Sequence, residues 1–279
     1  MENILLAIDG SRPDMSTVDF ACYIAKLMHS RLTAVFIESL VTEEKTVFKQ
    51  LHGHPYAETI EPGDLPENKE KESAFQNNEK LFCDSCVNRE VNYHIHRNRN
   101  ASAQEIITES RFADLIILNP AISFVEKEEG APSHFVKKIL AGAECPVVIA
   151  PFSFYGIDEI LFTYDGSRSS LFAIKQFMHL FPELNDKKLT VLQIDEKGIQ
   201  PIEEGEKIEE LLRAHYSQVS FQHLAGNAKD ELFSYLLGKE KIFVVIGAYG
   251  RSVVSSLFRQ STADLVVKTI NLPIFIAHN

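Results

Sequence analysis

Residues 246–268, IGAYGRSVVSSLFRQSTADLVVK, gather the residue types that can hold an anion. Gly247 and Gly250 follow an apolar run and flank Ala248 and Tyr249. Glycines at a strand end allow positive φ and let a ligand approach the backbone. Arg251 adds a cation and Ser252 a hydroxyl. Ser261 and Thr262 then open a helical stretch, with Asp264 three residues after Ser261, as in a capping box. Unpaired N–H groups and hydroxyls at a helix start suit a phosphate. The same residues also suit a tight turn and an ordinary helix cap, and spacing alone does not separate the two readings.

A second loop should lie beside this one. ILFTYDGSR at 160–168 repeats ILLAIDGSR at 4–12, with six of nine positions identical and an offset of 156. The strand-end Asp165, with Gly166 and Ser167, forms the polar tip of the later copy, and Asp9, Gly10 and Ser11 that of the earlier one. The ends of the copies match as well, CPVVIAP at 145–151 with LPIFIAH at 272–278, and ADLIILN at 113–119 with KIFVVIG at 241–247.

The elements between these markers place the loops. Val18, Ala21, Cys22 and Ala25 in the first copy, and Leu171, Ile174, Met178 and Phe181 in the second, recur at i, i+3, i+4, i+7, the face of a helix. Val136, Ile139, Leu140 and Ala143, and Ala263, Val266, Val267 and Ile270, do the same before the closing strands. Helices are also predicted over about 70–89, after Ser102, over about 203–215 and after Asn227. The apolar, β-branched runs suit strands covered on both faces. Each copy reads β-α-β-α-β-α-β-α-β, which gives a parallel sheet with helices on both faces. The fold class is therefore α/β, two tandem open parallel five-stranded sheets related by a pseudo-twofold axis. The units are expected at 1–152 and 157–279, with an insertion in the first at about 41–69. That insertion is rich in Gly, Pro and charge, and reads as an exposed excursion with at most a short helix around Thr46–Leu51. The closing strands, 147–151 and 274–278, would expose apolar edges if unpaired, so the copies are expected to pair through them.

These residues carry a family resemblance. The chain resembles two universal stress protein domains in tandem over nearly all of its length except the insertion, in the twice-repeated DGS, the GAYGRS…STADLVVK segment and the matching closing strands. The resemblance implies a Rossmann-like fold, a role in the stress response, and adenine-nucleotide binding through a G-x2-G-x9-G-[ST] motif after the fourth strand. Gly247 and Gly250 match its first two glycines and Ser261 its final hydroxyl, while Gln260 stands where the third glycine would be. A side chain there weakens ATP binding rather than abolishing it, since its amide could itself meet a phosphate. Asp165 matches the adenine-side Asp, and Gln193 falls near the second-strand contact. The implied site is then Asp165, Gly166, Ser167, Gln193, Gly247, Tyr249, Gly250, Arg251, Gln260, Ser261 and Thr262. In the first copy Asn119 and Ile122 stand at the first two glycines and Ser133-His134 at the last pair, with Pro120 removing a donor. That copy reads as scaffold.

Composition sets the remaining bounds. The net charge is −11 and no Lys/Arg cluster forms a basic face, which argues against nucleic acid. No apolar run approaches ~20 residues, so no membrane partner is expected. The N-terminus lacks a basic n-region, and a cytoplasmic location is expected. Cys83 and Cys86 form a CxxC with His94, His96, His52 and His54 downstream or nearby in sequence. It lies inside a predicted helix without a second CxxC, so zinc is disfavoured and no metal is expected. No nucleophile motif or general base emerges, which argues against an enzyme without deciding the matter. The expected function is regulatory, with a nucleotide in the second copy, an unidentified protein partner, an intramolecular pseudo-dimer and room for a homodimer. The alternatives are a slow ATP-hydrolysing enzyme and a ligand-free interaction module.

Overall fold

The computed structural model describes residues 3–38, 43–51, 54–98, 102–124, 129–195, 204–247 and 271–277. The first half contains β1 (Asn3–Asp9), α1 (Met15–Leu27), β2 (Arg31–Ile37), β3 (Lys45–Leu51), β4 (His54–Ile60), α2 (Pro66–Asn88), β5 (Tyr93–Asn98), α3 (Ala103–Glu109), β6 (Leu115–Leu118), α4 (His134–Gly142) and β7 (Val147–Ile149). The second contains β8 (Glu159–Thr163), α5 (Arg168–Leu180), β9 (Lys188–Asp195), α6 (Gly205–Arg213), β10 (Val219–Ala225), α7 (Ala228–Leu236), β11 (Ile242–Gly247) and β12 (Ile274–Ala277). The expected helix bearing Ala263, Val266, Val267 and Ile270 lies outside the described residues.

The two five-stranded sheets are one. Ten strands run in the order β10-β9-β8-β11-β12-β7-β6-β1-β2-β5. Within this sheet pairing is parallel in each half and antiparallel only where β12 meets β7, with Phe275 opposite Val148. The apolar closing strands thus cover each other's edges, as their composition requires. Alternate residues of each central strand feed two cores. Ile4, Leu6, Phe162 and Phe243 face α1, α2, α5 and α6, whereas Leu5, Ala7, Leu161 and Val244 face α3, α4 and α7. Both clusters run through both halves.

The segment between the halves is tied on both sides. Phe154 packs edge-on against Phe20 of α1 at 5.0 Å between ring centroids. Ser153 exchanges backbone and side-chain hydrogen bonds with Asn271, at 2.6–3.0 Å.

The insertion differs from its sequence reading. Thr46–Leu51 belongs to β3, paired antiparallel with β4, rather than to a short helix. Thr46, Val47 and Phe48 are β-branched or aromatic and favour an extended chain, and Lys49 meets Glu58 across the pair. Phe48 remains 79% exposed. The helix α2 starts at Pro66, earlier than its apolar pattern indicated, because a proline suits the first helical position.

Candidate functional site

Strand order reverses between β8 and β11, which lie side by side. Beyond their carboxyl ends a crevice opens, the usual place for a ligand in an open parallel sheet. It is lined by Thr163, Tyr164, Asp165, Ser170, Leu192, Ile194, Ala228, Leu232, Ile246 and Gly247, and encloses ≈ 450 Å³ including the part open to solvent. Apolar walls with a few polar groups at one end suit a flat heterocycle attached to a polar tail.

The polar end is built by local hydrogen bonds. Asp165 accepts from the Ser167 backbone N–H at 3.0 Å, closing the turn after β8. Ser167 caps α5, accepting from the Ser170 N–H at 3.1 Å. Gly166 sits at φ +76°, where a side chain would be strained. Burial works to raise the Asp165 carboxyl, but hydrogen bonds from Ser167 and Ser170 outweigh it and hold the group below the ordinary carboxylate range. Asp165 is thus an anion suited to accept hydrogen bonds rather than a proton donor at neutral pH.

Gly247 is required by packing. A Cβ there would stand 2.6 Å from the backbone of Ser169 and Ser170. The end of β11 is thereby pressed against the first turn of α5.

Of the sequence-predicted site residues, Asp165 and Gly247 line the crevice, and Gly166 and Ser167 build the turn beside it. Gln193 does not line it. On β9, Val191 faces the opposite core from Leu192, and Gln193 lies on the Val191 side, donating to Asp195 at 2.8 Å. Its neighbours Leu192 and Ile194 form the wall instead. Tyr249, Gly250, Arg251, Gln260, Ser261 and Thr262 lie outside the described residues. Sequence reasoning missed Ser170, Ala228 and Leu232. Ala228 follows Asn227, which caps α7 through the N–H groups of Lys229 and Asp230, so the cap itself was the available signal.

In the first half the matching turn carries a different set of side-chain bonds. Asp9 keeps the turn, accepting from the Ser11 N–H and hydroxyl at 2.8 Å. At the 156-residue offset Arg168 aligns with Arg12, yet α1 begins only at Met15, capped by Asp14. The missing first turn leaves room for Asn119, at the position of Gly247, to donate to Asp14 at 2.6 Å and to Thr17 at 3.1 Å. Above the turn, Asn78 of α2 donates to the Gly10 carbonyl at 2.9 Å. Arg97 bridges Glu38 and Glu72 and stacks on Phe75. Ser133, aligned with the motif's glycine, caps α4 through the Val136 N–H at 3.2 Å.

The CxxC does not form a site of its own. Cys86 is fully buried while Cys83 is partly exposed. Among the described residues no three His, Cys, Asp or Glu side chains converge as metal ligands. No helix among the described residues is long and apolar enough to cross a membrane.

This geometry has counterparts. The chain matches a universal stress protein from Archaeoglobus fulgidus at TM-score 0.67 and 16% identity, covering 100% of this chain and 96% of that one. This is the universal stress protein fold. A putative universal stress protein from Pseudomonas aeruginosa shares it at TM-score 0.54 and 15% identity, over 100% and 93% of the two chains. So does a functionally unknown protein from the same species, at TM-score 0.57 and 14% identity, over 100% and 92%. In sequence, the chain is 22% identical to a Synechocystis universal stress protein over 98% of its own length and 99% of that protein's. No family model matches the chain. The resemblance to universal stress proteins therefore spans nearly the whole chain.

Proposed function

We propose that this chain is a stress-response regulatory protein that binds an adenine nucleotide in its second half. Its two units would be 1–152 and 157–279. The observation that carries the reading is the asymmetry at the two switch points. In the second half the strand ends border an apolar-walled crevice beside Asp165, with Gly247 held bare against α5. In the first half the corresponding position is filled by Asn119 bonded to Asp14 and Thr17. Adenine would lie against Leu192, Ile194 and Leu232, and the phosphates would run toward Gly247 and the segment bearing Gly250, Arg251, Gln260, Ser261 and Thr262. Gln193, on the far side of β9, would lie behind this wall rather than against the adenine. The protein would work in the cytoplasm with an unidentified protein partner, as a pseudo-dimer within one chain.

Calorimetric titration of the full chain with ATP, ADP and AMP tests this. Saturable binding lost in Gly250→Val but kept in Asn119→Ala is the expected result. Binding that depends on Asn119 instead would place the nucleotide in the first half, and the absence of heat with all three nucleotides would leave an interaction module. Accumulation of ADP on incubation with ATP would mark the chain as a slow hydrolase.

A further inference from the structure

The sulfurs of Cys22 on α1 and Cys86 on α2 lie 3.8 Å apart. Both side chains are fully buried in the same core, 64 residues apart in sequence. Neither takes part in the crevice of the second half. We propose that Cys22 and Cys86 form a reversible disulfide when the protein meets a peroxide, a modification that would staple α2 to α1.

The separation is close to van der Waals contact, so a bond of ~2.05 Å needs a shift of under ~2 Å, within reach of side-chain rotation and small helix movement. Access is the harder requirement, since buried thiols are usually inert. Here α2 supplies it. Of its 23 residues only Asn68, Phe75, Phe82 and Cys86 are buried, so little apolar surface holds the helix down. Elements with few buried contacts open locally far more often than the molecule unfolds. Peroxide, little larger than water, enters through such openings.

The chemistry balances with peroxide as oxidant. Either sulfur can donate its S–H to the other; with Cys86 as the donor, that hydrogen bond favours the thiolate of Cys22. Its thiolate attacks one peroxide oxygen, breaking the O–O bond and giving a sulfenic acid and hydroxide, which takes up the proton released on ionisation. The Cys86 sulfur then attacks the Cys22 sulfur. The departing hydroxide leaves as water with the Cys86 proton. Two thiols and one peroxide thus become one disulfide and two waters. A dithiol reductant reverses the step.

The remaining cysteines serve as internal controls. Cys145 is buried apart from the pair, and burial pushes its thiol up to about 12. Cys83 is partly exposed one helical turn before Cys86. In a continuous helix, residues three apart hold their Cβ atoms ~5–6 Å apart, too far for an unstrained disulfide.

The test treats the native full chain with hydrogen peroxide, alkylates remaining thiols and maps peptides without reduction. The expected result is loss of two of the four thiols, a Cys22–Cys86 linked peptide, and recovery with dithiothreitol. Amide exchange over 66–88 should slow in the oxidised protein while that of α7 stays unchanged. Cys22→Ala and Cys86→Ala should each abolish the link. Because the mapping is done on the unaltered chain, it decides the question even if a variant misfolds. Oxidation confined to Cys83, a dimer linked through Cys83, a Cys83–Cys86 link, or four thiols surviving peroxide would each overturn the proposal.

Discussion

Gly247 and Ser170 touch backbone to backbone: a Cβ on the glycine would stand 2.6 Å from the serine nitrogen. Nothing there is the end of a flexible side chain, so β11 or α5 must move to admit even alanine. Gly247→Ala is expected to destabilise the protein by ~1–3 kcal/mol, the range for overpacking. Urea unfolding measures it. A cost below ~0.5 kcal/mol would mean that the two elements part easily.

Asn119 occupies the same place in the first half without such crowding. Asn119→Ala removes its hydrogen bonds to Asp14 and Thr17. A loss of about 1–2 kcal/mol is expected, since one partner is a carboxylate and the site is half-buried. Equilibrium unfolding of this variant beside Asp14→Ala should show the two effects to be non-additive.

Ser167 connects helix capping with the charge of Asp165. Ser167→Ala should cost about 1 kcal/mol through the lost cap of α5. It should also alter acid sensitivity. The folded-state Asp165 value is lowered, so the carboxylate contributes stability above its unfolded-state value that disappears as pH falls through the folded-state one. The variant should lose less stability across that acid interval than the unaltered chain. Denaturant midpoints from neutral pH down to about pH 3 check the sign.

The continuity of the sheet predicts how the chain melts. Phe275 is fully buried at the β7–β12 junction, 5.4 Å from Phe177 between ring centroids. Phe275→Ala is expected to cost about 3–5 kcal/mol, and both halves should unfold in one transition before and after the change. Two separated calorimetric transitions in the unaltered chain would show that the halves are independent despite the shared sheet.

The ribbon β3–β4 should be expendable. Replacing residues 45–60 with a short Gly/Ser linker removes exposed side chains and the Lys45–Glu67 and Lys49–Glu58 surface pairs, worth little each. The expected loss is below roughly 1–2 kcal/mol by thermal or urea unfolding. Extending the deletion through Leu65, only 2% exposed, should cost distinctly more.

The sequence by itself determined the alternation of strands and helices, the repeat and the switch-point location of the crevice. These follow from local periodicity and from composition: β1, β6 and β11 are apolar on both faces because helices cover both. The turn at Asp165 was equally legible, because an aspartate bonding two residues on is a local event. Tertiary structure alone decided four things. It set the register of the β7–β12 junction, with Phe275 opposite Val148, since two apolar edges predict that they pair but not which residues face each other. It put Leu192 and Ile194, rather than Gln193, toward the crevice, since which core receives the ligand is not written in a strand that is buried on both sides. It made Thr46–Leu51 a strand, because the partner His54–Ile60 pays no part in the helical pattern read from the segment alone. And it brought Cys22 to Cys86 rather than Cys83 to Cys86, because spacing along one helix sets its own neighbours, whereas the face that α2 presents to α1 is chosen by where Phe75 and Phe82 find cover.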